Sequence, residues 1–91
     1  MVDQKIKKRA LHRAKIIRGQ LDGLSRAIER EDYCTKLLEQ SFAMREALKS
    51  LERLLLENHL KTHVAHQFHK KDGAKLATME LVKIYQQSNR V

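Results

Sequence analysis

An all-helical fold is predicted by three features of the sequence. Proline is absent, glycine occurs only at Gly19, Gly23 and Gly73, and apolar residues recur at steps of three and four along most of the chain. β-branched and aromatic residues, which favour strands, are sparse. The 91 residues suggest one domain, residues 1–91, and so short a chain buries only a modest share of its surface unless it finds a partner. Oligomerisation is expected for that reason.

The first helix is expected over about residues 4–30. Ile6, Ala10, Ala14, Ile17, Leu21, Leu24 and Ile28 form a stripe along one side, and Asp3 is placed to cap the N-terminus. Gly19 and Gly23 interrupt this helix at about 1 kcal/mol each relative to alanine. Close approach of a neighbouring helix is the expected reason for them, with a hinge as the alternative. The stretch EREDYC breaks the pattern, and Asp32 is a suitable cap for a second helix over about residues 33–66. Leu37, Leu38, Ser41, Met44, Leu48, Leu51 and Leu55 mark its apolar face, which continues toward His59 and His63. With no breaker before Gly73 this helix is long, roughly 45 Å at 1.5 Å per residue. KKDG then turns the chain, with Asp72 available as a cap. A third helix over about 73–87 carries Leu76, Ala77, Leu81, Ile84 and Tyr85 on its face. Alone these helices cannot enclose a generous core, whereas two copies place four long helices in one antiparallel bundle.

Nineteen Lys and Arg against eleven Asp and Glu leave a net charge of +8, which points to a polyanion such as nucleic acid. The excess is uneven. Lys5, Lys7, Lys8, Arg9, Arg13, Lys15 and Arg18 face only Asp3 within residues 1–20, so seven minus one, or +6, lies there. A solubilising basic segment is the plain alternative. A single cysteine forms no internal disulfide, so any role of Cys34 lies in its thiolate. No secretory segment is recognised and no apolar run approaches the roughly 20 residues of a membrane span. A soluble, cytoplasmic protein without a membrane partner is expected. Paired carboxylates, a nucleophile elbow and a phosphate loop are not found, so an enzyme is not expected.

The stretch HLKTHVAHQFH, residues 59–69, sets four histidines within eleven positions. His59 and His63 stand one helical turn apart on one face, as ligand pairs in helical metal sites do. Cys34 precedes His59 by 25 residues, about 37 Å along a helix axis. Thiol and imidazoles of one helix therefore cannot share a metal. Antiparallel pairing of the second helix with its copy changes that: Cys34 faces the midpoint of His59 and His63 when the two-fold axis falls between Ala47 and Leu48. Each dimer then has two equivalent sites, with Cys34 from one chain and His59 and His63 from the other. Backbone N–H groups in the first turn of a helix favour negative charge, and Arg30 and Lys36 act in the same direction, which suits a thiolate at Cys34. A small buried residue and incidental exposed histidines are the plain alternatives, against which the matched spacing argues.

Taken together, RAKIIRGQLDGLSRAIE in the first helix, DYC at the start of the second, LLEQSFAMREAL in its middle and NHLKTH near its end resemble the CsoR/RcnR family of metal-sensing transcriptional repressors. The resemblance covers nearly the whole chain. It implies an all-helical protein forming dimers that pair into tetramers, bound to operator DNA without a conventional helix-turn-helix. Metal capture would release the DNA and derepress genes of metal efflux or resistance. The implied ligands are Cys34, His59 and His63, followed by His66, a set that looks most like the nickel and cobalt branch. Copper(I) sensors carry a second cysteine where His63 stands, and soft thiolates select Cu(I) whereas imidazoles with one thiolate suit Ni(II), Co(II) or Zn(II). Ni(II) or Co(II) is thus the expected effector, ahead of Cu(I) and Zn(II). Formaldehyde-responsive members keep the cysteine beside an N-terminal proline, where this chain has Val2. Nickel and cobalt sensors often have a histidine near that position, and removal of Met1 would offer the Val2 amine as a nitrogen ligand instead, with His66 the other candidate. Tyr33 and Glu80 resemble residues that stand behind the ligands in copper-sensing members, Glu80 with an offset of one position.

For DNA, Arg13 matches a contact arginine of the family, with Lys8, Arg9, Lys15 and Arg18 as further phosphate contacts. Few Asn or Gln accompany them, so DNA shape is expected to carry much of the specificity. The alternatives are a Cu(I)- or formaldehyde-responsive repressor of the same family and, in another class, a constitutive basic helical scaffold for nucleic acid.

Overall fold

The computed structural model describes residues 3–64 and 69–88, the side chains of residues 63 and 64 excepted. It contains three α-helices, α1 (Gln4–Glu29), α2 (Cys34–His59) and α3 (Gly73–Ser88), and a π-helical turn, Leu60–Val64, that prolongs α2. No strand occurs among the described residues, and none of their helices is long and apolar enough to cross a membrane.

Asp3 caps α1 as its residue type suggests, Oδ1 accepting the N–H groups of Lys5 and Ile6 at 2.9 and 3.2 Å. The other end closes in a Schellman arrangement: the Glu31 N–H reaches the Ile28 carbonyl and the Asp32 N–H reaches that of Ala27, each at 3.0 Å. Glu31 takes the left-handed conformation this requires, with φ 60°. That closure displaces the expected cap of α2. Tyr33, not Asp32, holds the N-cap position and makes no side-chain cap bond. The Asp32 carboxylate instead accepts from the Arg30 guanidinium at 2.8 Å, and that hydrogen bond holds its carboxyl below the usual carboxylate range.

The α2 helix keeps α geometry only to His59, short of the expected 66, a limit that itself lies outside the described residues. Beyond His59 the Thr62 hydroxyl donates to the Asn58 carbonyl at 2.7 Å. In an α-helix that carbonyl would take the Thr62 N–H, and hydroxyl competition of this kind loosens the ladder into a wider turn. At the start of α3, Asp72 has φ 61° and its carbonyl accepts the Leu76 N–H at 3.1 Å.

Helices α1 and α2 form a long antiparallel hairpin whose register is set by two polar contacts: the Asp3 N–H on Asn58 Oδ1, and Arg13 Nη1 on Ser50 Oγ. Among the described residues Ile6, Ala27, Leu54 and Ala77 make up the buried apolar set, and the chain is a slab of 57 × 30 × 13 Å, about one helix thick in its shortest dimension. Most of the face expected of α3 is uncovered: Ala77 is buried, but Leu76, Ile84 and Tyr85 are exposed. An open groove of ≈ 600 Å³ separates α3 from the second half of α2, with Leu55, Leu56, Leu81 and Ile84 on its walls.

The close helix approach expected at Gly19 and Gly23 is not seen among the described residues of the chain. A Cβ at Gly19 would meet nothing within 4 Å, and one at Gly23 only the end of the Arg26 side chain at 3.9 Å. Gly19 therefore carries the helix cost of glycine without a contact that requires it. Gly19→Ala is expected to raise stability by about 1 kcal/mol, readable as a higher urea midpoint at unchanged slope.

Candidate metal centre

Cys34 is the first residue of α2, and its thiol is free and exposed. His59 is the last, half-buried, with Nε2 at 3.6 Å from Glu80 Oε2 on α3. One uninterrupted helix of 26 residues separates them, about 37 Å along its axis. Among the described residues of the chain, no three His, Cys, Asp or Glu side chains come together as a metal cluster. His63 belongs to the π-helical turn, and its side chain is not described; His66 and Val2 lie outside the described residues.

A line of residues nonetheless connects the two ends. Cys34, Leu38, Ser41, Arg45, Leu48, Glu52, Leu55 and His59 follow one another at steps of four and three, which places them on one side of α2. Leu38, Leu48 and Leu55 on this line are 52%, 41% and 53% exposed. The covered side is different, formed by Leu37, Met44, Ala47, Leu51, Leu54 and Asn58, all buried or half-buried. Thiol and imidazole thus end a line of α2 on which, among the described residues, Leu38, Leu48 and Leu55 are left exposed.

Local charge around the thiol differs from the expectation that Arg30 and Lys36 together favour a thiolate. The Arg30 guanidinium is engaged with Asp32, which removes it as an isolated positive charge beside Cys34. Tyr33 is 74% exposed next to the thiol. Glu80, placed by resemblance behind the ligands, lies against His59 of its own chain. The contact is longer than a hydrogen bond and is an ion pair only when the imidazole carries a proton.

The basic residues expected to meet DNA lie along α1. Lys8, Arg9, Lys15 and Arg18 are exposed on α1, while Arg13 is half-buried with its guanidinium on Ser50. Arg9, Arg13 and Arg53 line one open cleft between α1 and α2, together with Ser50 and Glu57. Arg53 escaped the reading of the sequence because it sits in a helix that otherwise carries ligands and core. The hairpin register reveals it, since pairing Asp3 with Asn58 and Arg13 with Ser50 brings Arg53 opposite Arg9. Three guanidinium groups on one cleft can neutralise a phosphate that crosses it.

A family model described as metal-sensitive transcriptional repressor matches residues 6–87. A copper-sensing transcriptional repressor CsoR of Mycobacterium bovis is 41% identical over 56 residues, 62% of this chain and 47% of that protein. One from Mycobacterium ulcerans is likewise 41% identical over 56 residues, covering 48% of its length. The match thus spans about half the length of these curated relatives. Among solved structures, the copper-sensing repressor CsoR with Cu(I) from Geobacillus thermodenitrificans superposes with a TM-score of 0.86 at 26% identity, over 97% of this chain and 91% of that one.

Proposed function

Because the chain belongs to the family of metal-sensitive transcriptional repressors, we propose that it holds operator DNA when metal-free and releases it when metal is captured between two copies of itself. The observation that carries the proposal is the uncovered stripe from Cys34 to His59. Paired antiparallel with its own copy, α2 brings Cys34 of one chain to His59 and His63 of the other and covers Leu38, Leu48 and Leu55 in the same step. Two hairpins joined this way make a four-helix bundle, and pairing of such dimers into a tetramer would cover further apolar surface on α3. The setting is the cytoplasm, where operator DNA is found.

For the effector, Cu(I) has the support of the comparisons, since the relatives and the structural neighbour are all named as copper sensors. That reverses the order drawn from the ligand residues alone. The second reading, Ni(II) or Co(II), is favoured by one observation: position 63 offers an imidazole, leaving Cys34 as the single thiolate of the chain. Bound at this site, the metal would tie the start of one α2 to the end of the other.

The residues themselves supply the rest. Arg9, Arg13 and Arg53 line the cleft facing phosphate, with Lys8, Lys15 and Arg18 beside it on α1. Because α1 rides on α2, any shift of one α2 against its partner changes the spacing of the two basic faces. The coupling needed is about 1–3 kcal/mol, and DNA must weaken metal binding by the same factor.

Titrating Cu(I), Ni(II), Co(II) and formaldehyde separately into the protein–operator complex, followed by fluorescence anisotropy, tests the reading. Release by Cu(I) at the lowest free concentration supports the first effector, and release by Ni(II) or Co(II) alone the second. Release by formaldehyde alone assigns Cys34 to electrophile capture, and no release by any of them reduces the chain to a constitutive nucleic-acid-binding scaffold. For the DNA face, Arg53→Ala is expected to reduce the slope of log affinity against log salt by about 0.9, one phosphate contact, while leaving the metal response in place.

A further inference from the structure

We infer that Asn58 is a positioning residue that couples the ligand-bearing end of α2 to the first turn of the basic helix α1, an inference that rests on the repressor reading above. Among the described residues Asn58 is the buried polar one, 8% exposed. Its Oδ1 accepts the Asp3 backbone N–H at 2.9 Å, a bond that spans 55 positions of sequence. Asp3 has its other groups committed to α1: the carboxylate accepts from Lys5 and Ile6 at 2.9 and 3.2 Å, and the carbonyl accepts the Lys7 N–H at 2.8 Å. Through one residue, the carboxamide therefore grips the whole opening turn of α1.

Its other neighbour is the metal-binding end. Asn58 immediately precedes His59, and its own carbonyl takes the Thr62 hydroxyl at the point where α2 widens into the π-helical turn. A buried amide oxygen that loses its partner costs more than the bond contributes when made. Asp3 must accordingly follow Asn58 when the end of α2 moves. Ile6 and Leu54, buried to 3% and 4% exposure, lie about one turn from the joint on α1 and α2. A displacement at His59 is delivered in this way to Lys8 and Arg9, which follow on α1 within about two turns.

Apolar packing alone would also keep the helices together, so the test separates linkage from stability. Asn58→Leu keeps the branched shape at a somewhat larger volume and removes the acceptor. Operator affinity is measured for this variant and the unsubstituted protein, metal-free and with Cu(I) and with Ni(II), alongside metal affinity in the absence of DNA. The expected result is an unchanged metal affinity with a ratio of metal-free to metal-loaded operator affinity that falls about tenfold. An unchanged ratio overturns the inference while leaving the repressor reading intact, and so does loss of metal affinity, which would place Asn58 in the ligand site itself. If the unsubstituted protein responds to neither metal and Co(II) also fails to release the operator, the repressor reading fails and the inference with it. Should Asn58→Leu not fold, amide hydrogen exchange on the unsubstituted protein decides. Metal is expected to change protection at Asp3, Lys5, Ile6 and Lys7 more than in the second half of α1, and equal or no change there overturns the inference.

Discussion

Cys34→Ala is expected to hold operator DNA as tightly as the unsubstituted protein and to remain bound when metal is added. The first half of that result follows from where the residue stands. Cys34 is exposed at the first position of α2, Tyr33 rather than Cys34 occupies the cap, and alanine is the better helix former. Neither the hairpin register nor the arginine cleft uses the thiol. The second half follows from the donor set, because the proposed site has one thiolate and the variant leaves only imidazoles. Removing a direct ligand should cost more than the roughly 10- to 100-fold in affinity that losing a supporting residue does. A free-energy coupling of about 1–3 kcal/mol does not survive at working metal concentrations when the loaded state is no longer populated. Anisotropy of labelled operator with and without metal measures the effect, and loss of the thiolate-to-metal absorption band reports the ligand directly. Metal-driven release from the variant at wild-type concentrations would remove Cys34 from the site.

The helical class, the lengths of α1 and α3 and the Asp3 cap were legible in the sequence because each rests on local rules: periodicity, breakers and a capping side chain. The start of α2 was read one residue early as to its cap, since the closing turn of α1 and the Arg30–Asp32 pair compete for the same aspartate. That competition depends on the left-handed Glu31, which residue type does not announce. The widening of α2 beyond His59 was not legible for a similar reason, a threonine hydroxyl taking a backbone carbonyl, and the expected limit at 66 lies outside the described residues. More consequential is the apolar face of α2, which the sequence presents as one broad band from Leu37 to Leu55. The structure divides it into a side covered within the chain, with Leu37, Met44 and Leu51, and an open side with Leu38, Leu48 and Leu55. Periodicity reports that residues share a face of a helix, but not which neighbour covers them. The same limit explains Arg53 and Asn58, whose proposed roles are suggested only when the register of the hairpin is known.

The sequence offers candidate ligand positions as a spacing, which the described residues of one chain do not bring together, and it does not decide the metal. Similarity over 56 residues records the fold and the hairpin that those residues build, whereas metal preference turns on one or two donors. The copper sensors and the imidazole at 63 consequently point in different directions, and only the effector titration weighs them in one measurement.

Leu48→Lys should abolish both the metal response and tight operator binding by dissolving the dimer. Within a single chain the substitution is mild: Leu48 is 41% exposed and lies on the open side of α2, so a lysine there reaches water and keeps good helix propensity. Across the proposed two-fold axis the outcome is different. The axis passes between Ala47 and Leu48, so each substituted side chain meets its own copy, and an isologous contact counts every change twice. Two ammonium groups would face each other where two leucines were to be buried. Each apolar side chain forgoes about 1.5–3 kcal/mol of burial, and each desolvated charge adds several more kcal/mol without a partner to offset it. No interface centred on this stripe withstands that sum. Sedimentation velocity is expected to show a monomer with near-native helical content, bound weakly to operator through one basic face. Leu48→Met, which conserves volume and apolar character, is expected to keep the assembly at a cost under about 1.5 kcal/mol. A Leu48→Lys protein that stays oligomeric and responsive would move the two-fold axis elsewhere and separate Cys34 from the partner's imidazoles.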